Sequence, residues 1–355
     1  MLSSNTARDI EVLVLKCSPV NSRQLSEPDR ISTSARSYHF NYGSMPAGVS
    51  PDIVVVRNNC LRKPTSFPVS RERTVLLLSE PRSVVYFPGS YVRQFGVVYS
   101  CQPELGGANV VHGPAAIPWF VGIRLDGSLT PALSGTVTYL ALKNSPLPRK
   151  TKMMSIIVSS KTFSAGHFAR YRFVLRLKAR YGDRIDFYGK GFNYVDDKWD
   201  ALAPYKYTIA IENSVSDTYF TEKISDAFLA GCHVVYSGCR RISDYFPPEA
   251  MSLIDISDFD SACRVIDSLL SDDRYEESAP AVRVAKDKVL EEYNNLRIVA
   301  NCCDKVDLSD EATGRVTISP ISGFGRLRNL FNHLVVWPFW CAIGAMYRVF
   351  APKSK

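Results

Sequence analysis

Hydrophobic residues fall into two arrangements along the chain: short unbroken apolar runs, and longer stretches where they recur every three or four positions. Runs of the first kind are Glu11 to Leu15 (EVLVL), Asp52 to Val56 (DIVVV), Thr74 to Leu78 (TVLLL) and Gly96 to Tyr99 (GVVY). Their length and β-branched content predict strands buried on both faces of a parallel sheet. The segment Ser18 to Ser50, rich in Ser, Pro and Asn, reads as loop. A second series starts with a strand at Met154 to Val158 (MSIIV). It continues through a helix over His167 to Tyr181, ended by Gly182, and a strand at Ile185 to Tyr188. Between the two series, Leu142 to Lys152 (LKNSPLPRKTK) holds two prolines and four basic residues and reads as an interdomain linker. Asp255 to Leu270 predicts a short strand and a helix, and Pro280 to Val299 an amphipathic charged helix.

The most informative stretch runs from Tyr205 to Gly238, YKYTIAIENSVSDTYFTEKISDAFLAGCHVVYSG. Tyr207 to Ile211 predicts a buried strand, Glu212 to Thr221 a polar loop at its carboxyl end, and Val234 to Tyr236 the next strand. Ile224, Ala227 and Phe228 recur at helical spacing, and Gly231 supplies the stop. In open α/β sheets ligands gather at the carboxyl ends of strands, where helix N-termini present free N–H groups. That position carries Asn213, Ser214, Tyr219, Thr221, Glu222 and Lys223. A lysine in the first turn opposes the helix dipole, which an anion at the site would offset. An ordinary βαβ unit with a solvated polar loop satisfies the same spacing.

The order ENS, a short gap, Y-F-T-E-K, then D-A-F-L-A-G and an apolar strand resembles the donor-binding signature of the α-1,3/1,4-fucosyltransferases, glycosyltransferase family 10. The resemblance covers roughly 151–300, and more loosely 50–125. It implies an α/β chain of GT-B architecture, with two Rossmann-like domains facing a central cleft and a basic apolar tail after them. The expected division is 1–145 for the acceptor, 146–305 for the nucleotide-sugar, and 306–355 for the tail; the helix over Pro280 to Val299 would return to the first domain. The implied reaction is metal-independent and inverting, transferring fucose from GDP-fucose to a hydroxyl of a glycan or glycolipid acceptor, with no cofactor. The implied linkage is α-1,3 to a GlcNAc- or Glc-type sugar of a surface glycan. Asn213, Ser214, Tyr219, Glu222 and Lys223 are the implied donor contacts, joined at the diphosphate by Arg170, nearer the start of its helix, or Arg172. Lys198 resembles a family position with a supporting role. Glu80, directly after a strand in LLLSEP, corresponds to the family's general base. The chain departs from the family pattern at His233-Val-Val-Tyr236-Ser237-Gly238, where a proline and a Tyr-Trp-Gly end are usual.

Composition changes this picture in three places. First, 46% hydrophobic and 22% charged residues describe a globular chain. The first twenty residues hold no long apolar core of a secretory signal, and the nine cysteines lack a repeating CxxC spacing, so reduced thiols in a cytoplasmic setting are expected. Second, the net charge of +8 is uneven: after Glu311 there is no acid, while Arg315, Arg326, Arg328, Arg348, Lys353 and Lys355 add six positive charges. A general nucleic-acid surface is therefore not expected. Third, Leu330 to Phe350 is apolar and aromatic, so 326–355 is expected to lie peripherally on an anionic, cytoplasmic membrane face. A helix packed on the protein itself is the alternative. His112 and Trp119 sit in an aromatic loop and read as sugar-stacking or core residues, whereas Asp258 and Asp260 read as acids at a helix start. Three other functions remain open: a transferase of the same fold using another nucleotide-sugar, a non-catalytic carbohydrate- or nucleotide-binding protein, and a membrane-surface scaffold.

Overall fold

The computed structural model describes residues 8–15, 29–125, 131–133, 137–309 and 314–350. The chain forms two compact units, one of residues 1–116 with 293–326, the other of 117–292 with 327–355.

Among the described residues the first unit opens with eight strands: β1 (Ile10–Leu15), β2 (Arg30–Ser32), β3 (Ser37–Tyr42), β4 (Ile53–Arg57), β5 (Thr65–Phe67), β6 (Thr74–Leu78), β7 (Val97–Ser100) and β8 (Val110–His112). All but β5 join one sheet of order β2-β3-β1-β4-β6-β7-β8, parallel except for the β2–β3 pair. The four strands predicted for this unit all appear, each within a residue or two, whereas the short strand expected after Asp255 lies earlier, at Met251–Leu253. Ser37–Tyr42, by contrast, lies in the stretch read as loop, yet it pairs with β1 from Ile10↔Tyr38 onward. Its apolar residues alternate, Tyr38 and Phe40 buried between half-buried neighbours, and so short an alternation of Tyr, His, Phe and Asn is easily taken for polar loop. Alternation also divides the central strands. Val55 and Leu77 enter the core on one face, while Val54, Val56, Leu76 and Leu78 enter that on the other. A left-handed Asn58 (φ 48°) follows β4, and its Oδ1 accepts from Ser79 N at 2.9 Å, setting the chain just before Glu80.

In the second unit, β9 (Ile123–Leu125) and β10 (Pro131–Leu133) pair antiparallel. Helix α1 (Gly89–Val92) lies in the first unit; the second holds α2 (Tyr139–Asn144), α3 (Ala165–Tyr181), α4 (Lys198–Leu202), α5 (Glu222–Leu229), α6 (Phe259–Ser271) and α7 (Tyr275–Glu291). The strands β11 (Lys152–Ile157), β12 (Asp186–Tyr188), β13 (Tyr205–Ile211), β14 (His233–Ser237) and β15 (Met251–Leu253) make an all-parallel sheet of order β12-β11-β13-β14-β15. That order reverses direction between β11 and β13. The crevice at their carboxyl ends is where a doubly wound sheet takes its ligand. Asp258 caps α6 by accepting from Ser261 N, the helix-start role expected of it.

Two boundaries differ from expectation. The chain enters the second unit at Ile117, not near 145, and leaves it at Glu292. The supposed linker packs inside the second unit, because Lys150 Nζ donates to Ala203 O and Ala230 O, and Lys286 Nζ to Ser145 O. Its prolines and lysines thus serve a tether, which composition alone does not distinguish from a linker. The single helix expected over Pro280 to Val299 is broken: α7 ends in the second unit at Glu291, and a separate helix, α8 (Asn295–Cys303), belongs to the first unit and buries Leu296, Val299 and Cys303 among the strand residues. Cys302 and Cys303 are free thiols. Strand β16 (Val316–Ile318) pairs with β5.

The tail is α9 (Gly323–Phe331), a π-helical turn over Asn332–Val336 and α10 (Trp337–Phe350). One side of it packs on the second unit: Trp337 stacks on Phe163 with centroids 5.2 Å apart, and Trp340 and Tyr347 meet Phe168. The other side leaves Leu334, Val335, Phe339 and Met346 exposed.

Leu296→Ala should cost about 2–5 kcal/mol although it lies far in sequence from the sheet it covers. Urea denaturation should show the loss in the transition of the first unit, and an unchanged profile would contradict the placement of α8.

Candidate active site

Glu212, the residue that follows β13, begins the site. Its side chain is fully buried. Burial of a carboxylate requires partners, and it has three. Thr221 N donates to Oε1 at 2.9 Å, Thr221 Oγ1 donates at 2.8 Å to Oε2, and Lys223 Nζ stands 3.1 Å from Oε2. Thr221 is also the N-cap of α5. One carboxylate therefore ties the end of β13 to the start of α5. A glycine permits this: a Cβ on Gly238 would lie 2.5 Å from Glu212 Cγ and 2.6 Å from Tyr236 Oη.

Lys223 meets Glu212 and, at 3.4 Å, Glu222 Oε1. Burial opposes its charge, but these two carboxylates outweigh burial and raise its pKa. The anion that the first-turn lysine called for is thus partly supplied from within. Glu222 is 16% exposed; burial pushes its carboxyl up, yet Lys223 and Lys198 overcome this and bring it down to about 2. It is an ionised, reachable acceptor at neutral pH.

The N-terminal turn of α3 forms the neighbouring wall. Ser164 caps the helix and its Oγ lies 2.8 Å from His167 Nδ1. Asn213 Nδ2 donates to His167 Nε2 at 3.2 Å, and Tyr219 Oη donates to Asn213 Oδ1 at 3.1 Å. This order of donors places the imidazole proton on Nδ1. The wall fits closely, since a Cβ on Gly166 would stand 2.1 Å from Asn213 O. Burial, then Arg170, Lys223 and Lys161, bring His167 down to about 4.

Arg170 is 5% exposed, and its Nε has no hydrogen-bond partner. Burial lowers its pKa, while Glu212, Glu222 and Tyr219 oppose the shift. A buried donor left unpaired costs roughly 1–3 kcal/mol, and more when charged. Arg172 is exposed. Two residues along a helix is over half a turn, so Arg172 belongs to the outer face of α3 and is removed from the candidate site. Ser214 is half-buried beside Asn213.

The sequence-predicted residues Arg170, Asn213, Tyr219, Glu222 and Lys223 are thus brought together at the β11/β13 switch point. Glu80 lies two residues after β6 in the first unit, half-buried, its carbonyl accepting from Gln102 Nε2 at 2.9 Å. Trp119 is buried, in keeping with the core reading, and His112 is exposed on the edge strand β8. Sequence reasoning missed Glu212, His167 and Asp226. For Glu212 and Asp226 the signal was present: an acid closing an apolar strand, and one on the apolar face of a short helix, each needing a buried cation.

Residues 147–279, which build this site, match the family model of the glycosyltransferase family 10 (fucosyltransferase) C-term. This part of the chain belongs to glycosyltransferase family 10. A 4-galactosyl-N-acetylglucosaminide 3-alpha-L-fucosyltransferase 9 of Rattus norvegicus is 33% identical over 132 residues, 35% of this chain and 35% of the relative. An alpha-(1,4)-fucosyltransferase of Arabidopsis thaliana is 39% identical over 61 residues, 17% of this chain and 15% of that protein. The chain spans about a third or less of the length of these curated relatives. Its fold is similar to the crystal structure of an alpha1,3-fucosyltransferase, with a TM-score of 0.50 at 16% identity, covering 91% of this chain and 95% of that one. The family 10 segment thus coincides with the second unit's parallel sheet and the site at its switch point.

Stability should fall as pH drops from about 6.5 towards 4, because the unfolded chain binds a proton on His167 that the folded protein resists. The slope from this residue is about 1.4 kcal/mol per pH unit within that window. His233, also lowered to about 4, adds a second share. His167→Gln should flatten the pH profile of thermal denaturation by one of these shares; an unchanged profile would contradict the buried neutral imidazole.

Proposed function

We propose that the protein is an inverting fucosyltransferase that uses GDP-fucose as donor without a metal ion. The observation that carries this reading is the buried Arg170 guanidinium with an unpaired Nε, set beside Lys223 in the family 10 segment. A buried, under-satisfied cation next to a second cation suits a diphosphate, which supplies both charge and hydrogen-bond acceptors. The N-termini of α3 and α5 add N–H groups to the same place.

In this reading Arg170, Lys223, Asn213 and Tyr219 hold the diphosphate, with Ser214 beside them. Their contribution is electrostatic: fixed donors stabilise the negative charge that grows on the phosphate as the glycosidic bond breaks. Glu222 accepts hydroxyls of the donor's sugar. Glu80, at the end of β6, takes the proton of an acceptor hydroxyl as that oxygen attacks the anomeric carbon, and the displacement inverts configuration. The acceptor is a glycan or glycolipid, with α-1,3 linkage to a GlcNAc- or Glc-type sugar. The apolar outer side of the tail, with Arg326 and Arg328 beside it and no acid after Glu311, rests on an anionic membrane surface. Its 23-residue apolar stretch from Gly325 to Tyr347 is long enough to cross a bilayer by length and composition, but its aromatic side packs on Phe163 and on Phe168 of α3.

Calorimetry with GDP-fucose, GDP-mannose, GDP and UDP-galactose, in the presence of EDTA, tests the donor. GDP and GDP-fucose should bind selectively, and Lys223→Ala should lose both. Binding of another nucleotide-sugar would overturn the fucose assignment, and binding of none would favour a non-catalytic protein. Glu80→Gln should lower turnover by ~10²-fold or more with donor affinity kept; unchanged turnover would remove Glu80 from the mechanism. Cosedimentation with anionic vesicles should be lost on deleting 326–355.

A further inference from the structure

Asp226 is a carboxylate, 1% exposed, to which the proposed chemistry gives no task. It lies one turn after Glu222 on α5, so the two share a helix face. Its Oδ1 accepts from Phe120 N at 2.6 Å and Val121 N at 3.2 Å, and its Oδ2 receives Lys198 Nζ at 2.6 Å. Asp197 completes the fastening by accepting from Gly122 N at 3.0 Å and Trp199 N at 2.8 Å. Residues 120–122, the start of α4 and the middle of α5 are thereby joined through two acids.

Lys198 stands between two carboxylates of unequal distance. Its Nζ is 2.6 Å from Asp226 and 3.9 Å from Glu222 Oε1, and it also lies 5.0 Å from the Phe120 ring centre. Lys223 approaches the same Oε1 of Glu222, at 3.4 Å. The nearest approach of both lysines is thus to the same oxygen, Oε1. Were Asp226 uncharged, Glu222 would be the nearest anion left to Lys198. Attraction between unit charges rises steeply at such separations, so the ammonium would close onto Glu222 and occupy its lone pairs.

We propose that Asp226 is a positioning residue that draws Lys198 off Glu222 and so keeps a Glu222 oxygen available to a hydroxyl of the donor's sugar. This rests on the reading of Glu222 as the sugar-facing acceptor. Asp226 then acts on the sugar and not on the nucleotide, which separates it from a clamp that merely holds 120–122.

Asp226→Asn isolates the two roles, because the amide oxygen still accepts from Phe120 N and Val121 N while the charge that holds Lys198 is gone. Affinities for GDP and GDP-fucose should be measured by calorimetry for the full chain and for Asp226→Asn, Glu222→Gln and the double variant. Asp226→Asn should weaken GDP-fucose by ~10-fold, the scale of one charge-assisted hydrogen bond, and leave GDP within about twofold. In the Glu222→Gln background it should have no further effect. Lys198→Met with Asp226→Asn should restore GDP-fucose affinity, since no ammonium remains to close onto Glu222; this variant also carries the test should Asp226→Asn alone fail to fold. Equal weakening of GDP and GDP-fucose, additive losses with Glu222→Gln, or no recovery on removing Lys198 would each overturn the role. If the unaltered protein binds neither ligand, the donor assignment itself falls and takes this role with it.

Discussion

The site depends on burying one carboxylate at the end of a strand. Glu212 has no exposed side-chain surface, and its oxygens are occupied by Thr221 and Lys223. Removing such a charge from water is costly unless it is paired and hydrogen-bonded, and Glu212 is both. The same contacts that make its burial tolerable fix the entry of α5, orient the first-turn lysine and place Glu222 beside it. The geometry of the site follows from this single placement.

Around it the fold supplies space in a few defined ways. The parallel sheet changes direction between β11 and β13, opening the carboxyl ends of those strands to two helix N-termini. Gly166 lets α3 close on the Asn213 backbone, and Gly238 makes room for Glu212. Three cations, Arg170, Lys198 and Lys223, face three carboxylates, Glu212, Glu222 and Asp226. Among these groups Arg170 Nε is buried without a hydrogen-bond partner, a cost that an anionic ligand would relieve.

Much of this was legible in the sequence because the relevant patterns are local. The buried strands announce themselves as unbroken apolar runs, and the strand–loop–helix–strand from Tyr205 to Gly238 was readable with its polar residues in place. What was hidden depends on partners far along the chain. Ser37–Tyr42 is a strand only because β1 offers an edge to pair with. The basic, proline-rich 145–151 stretch is a tether because carbonyls at 203 and 230 receive Lys150. Spacing left Arg170 and Arg172 equivalent, and only the burial of one face of α3 separates them. Asp226 gained its meaning from Lys198 and from backbone amides at 120 and 121, more than a hundred residues upstream.

Arg170, if kept in the protein interior for a ligand and not for the fold, should be dispensable to stability but not to binding. Arg170→Met, an apolar side chain of comparable length, tests it when unliganded stability and GDP affinity are measured on the same sample. Stability should stay within about 1 kcal/mol of the unaltered protein, because the guanidinium's burial cost offsets its attraction to Glu212 and Glu222, while GDP binding is lost. A strongly destabilised variant that still binds GDP would contradict it.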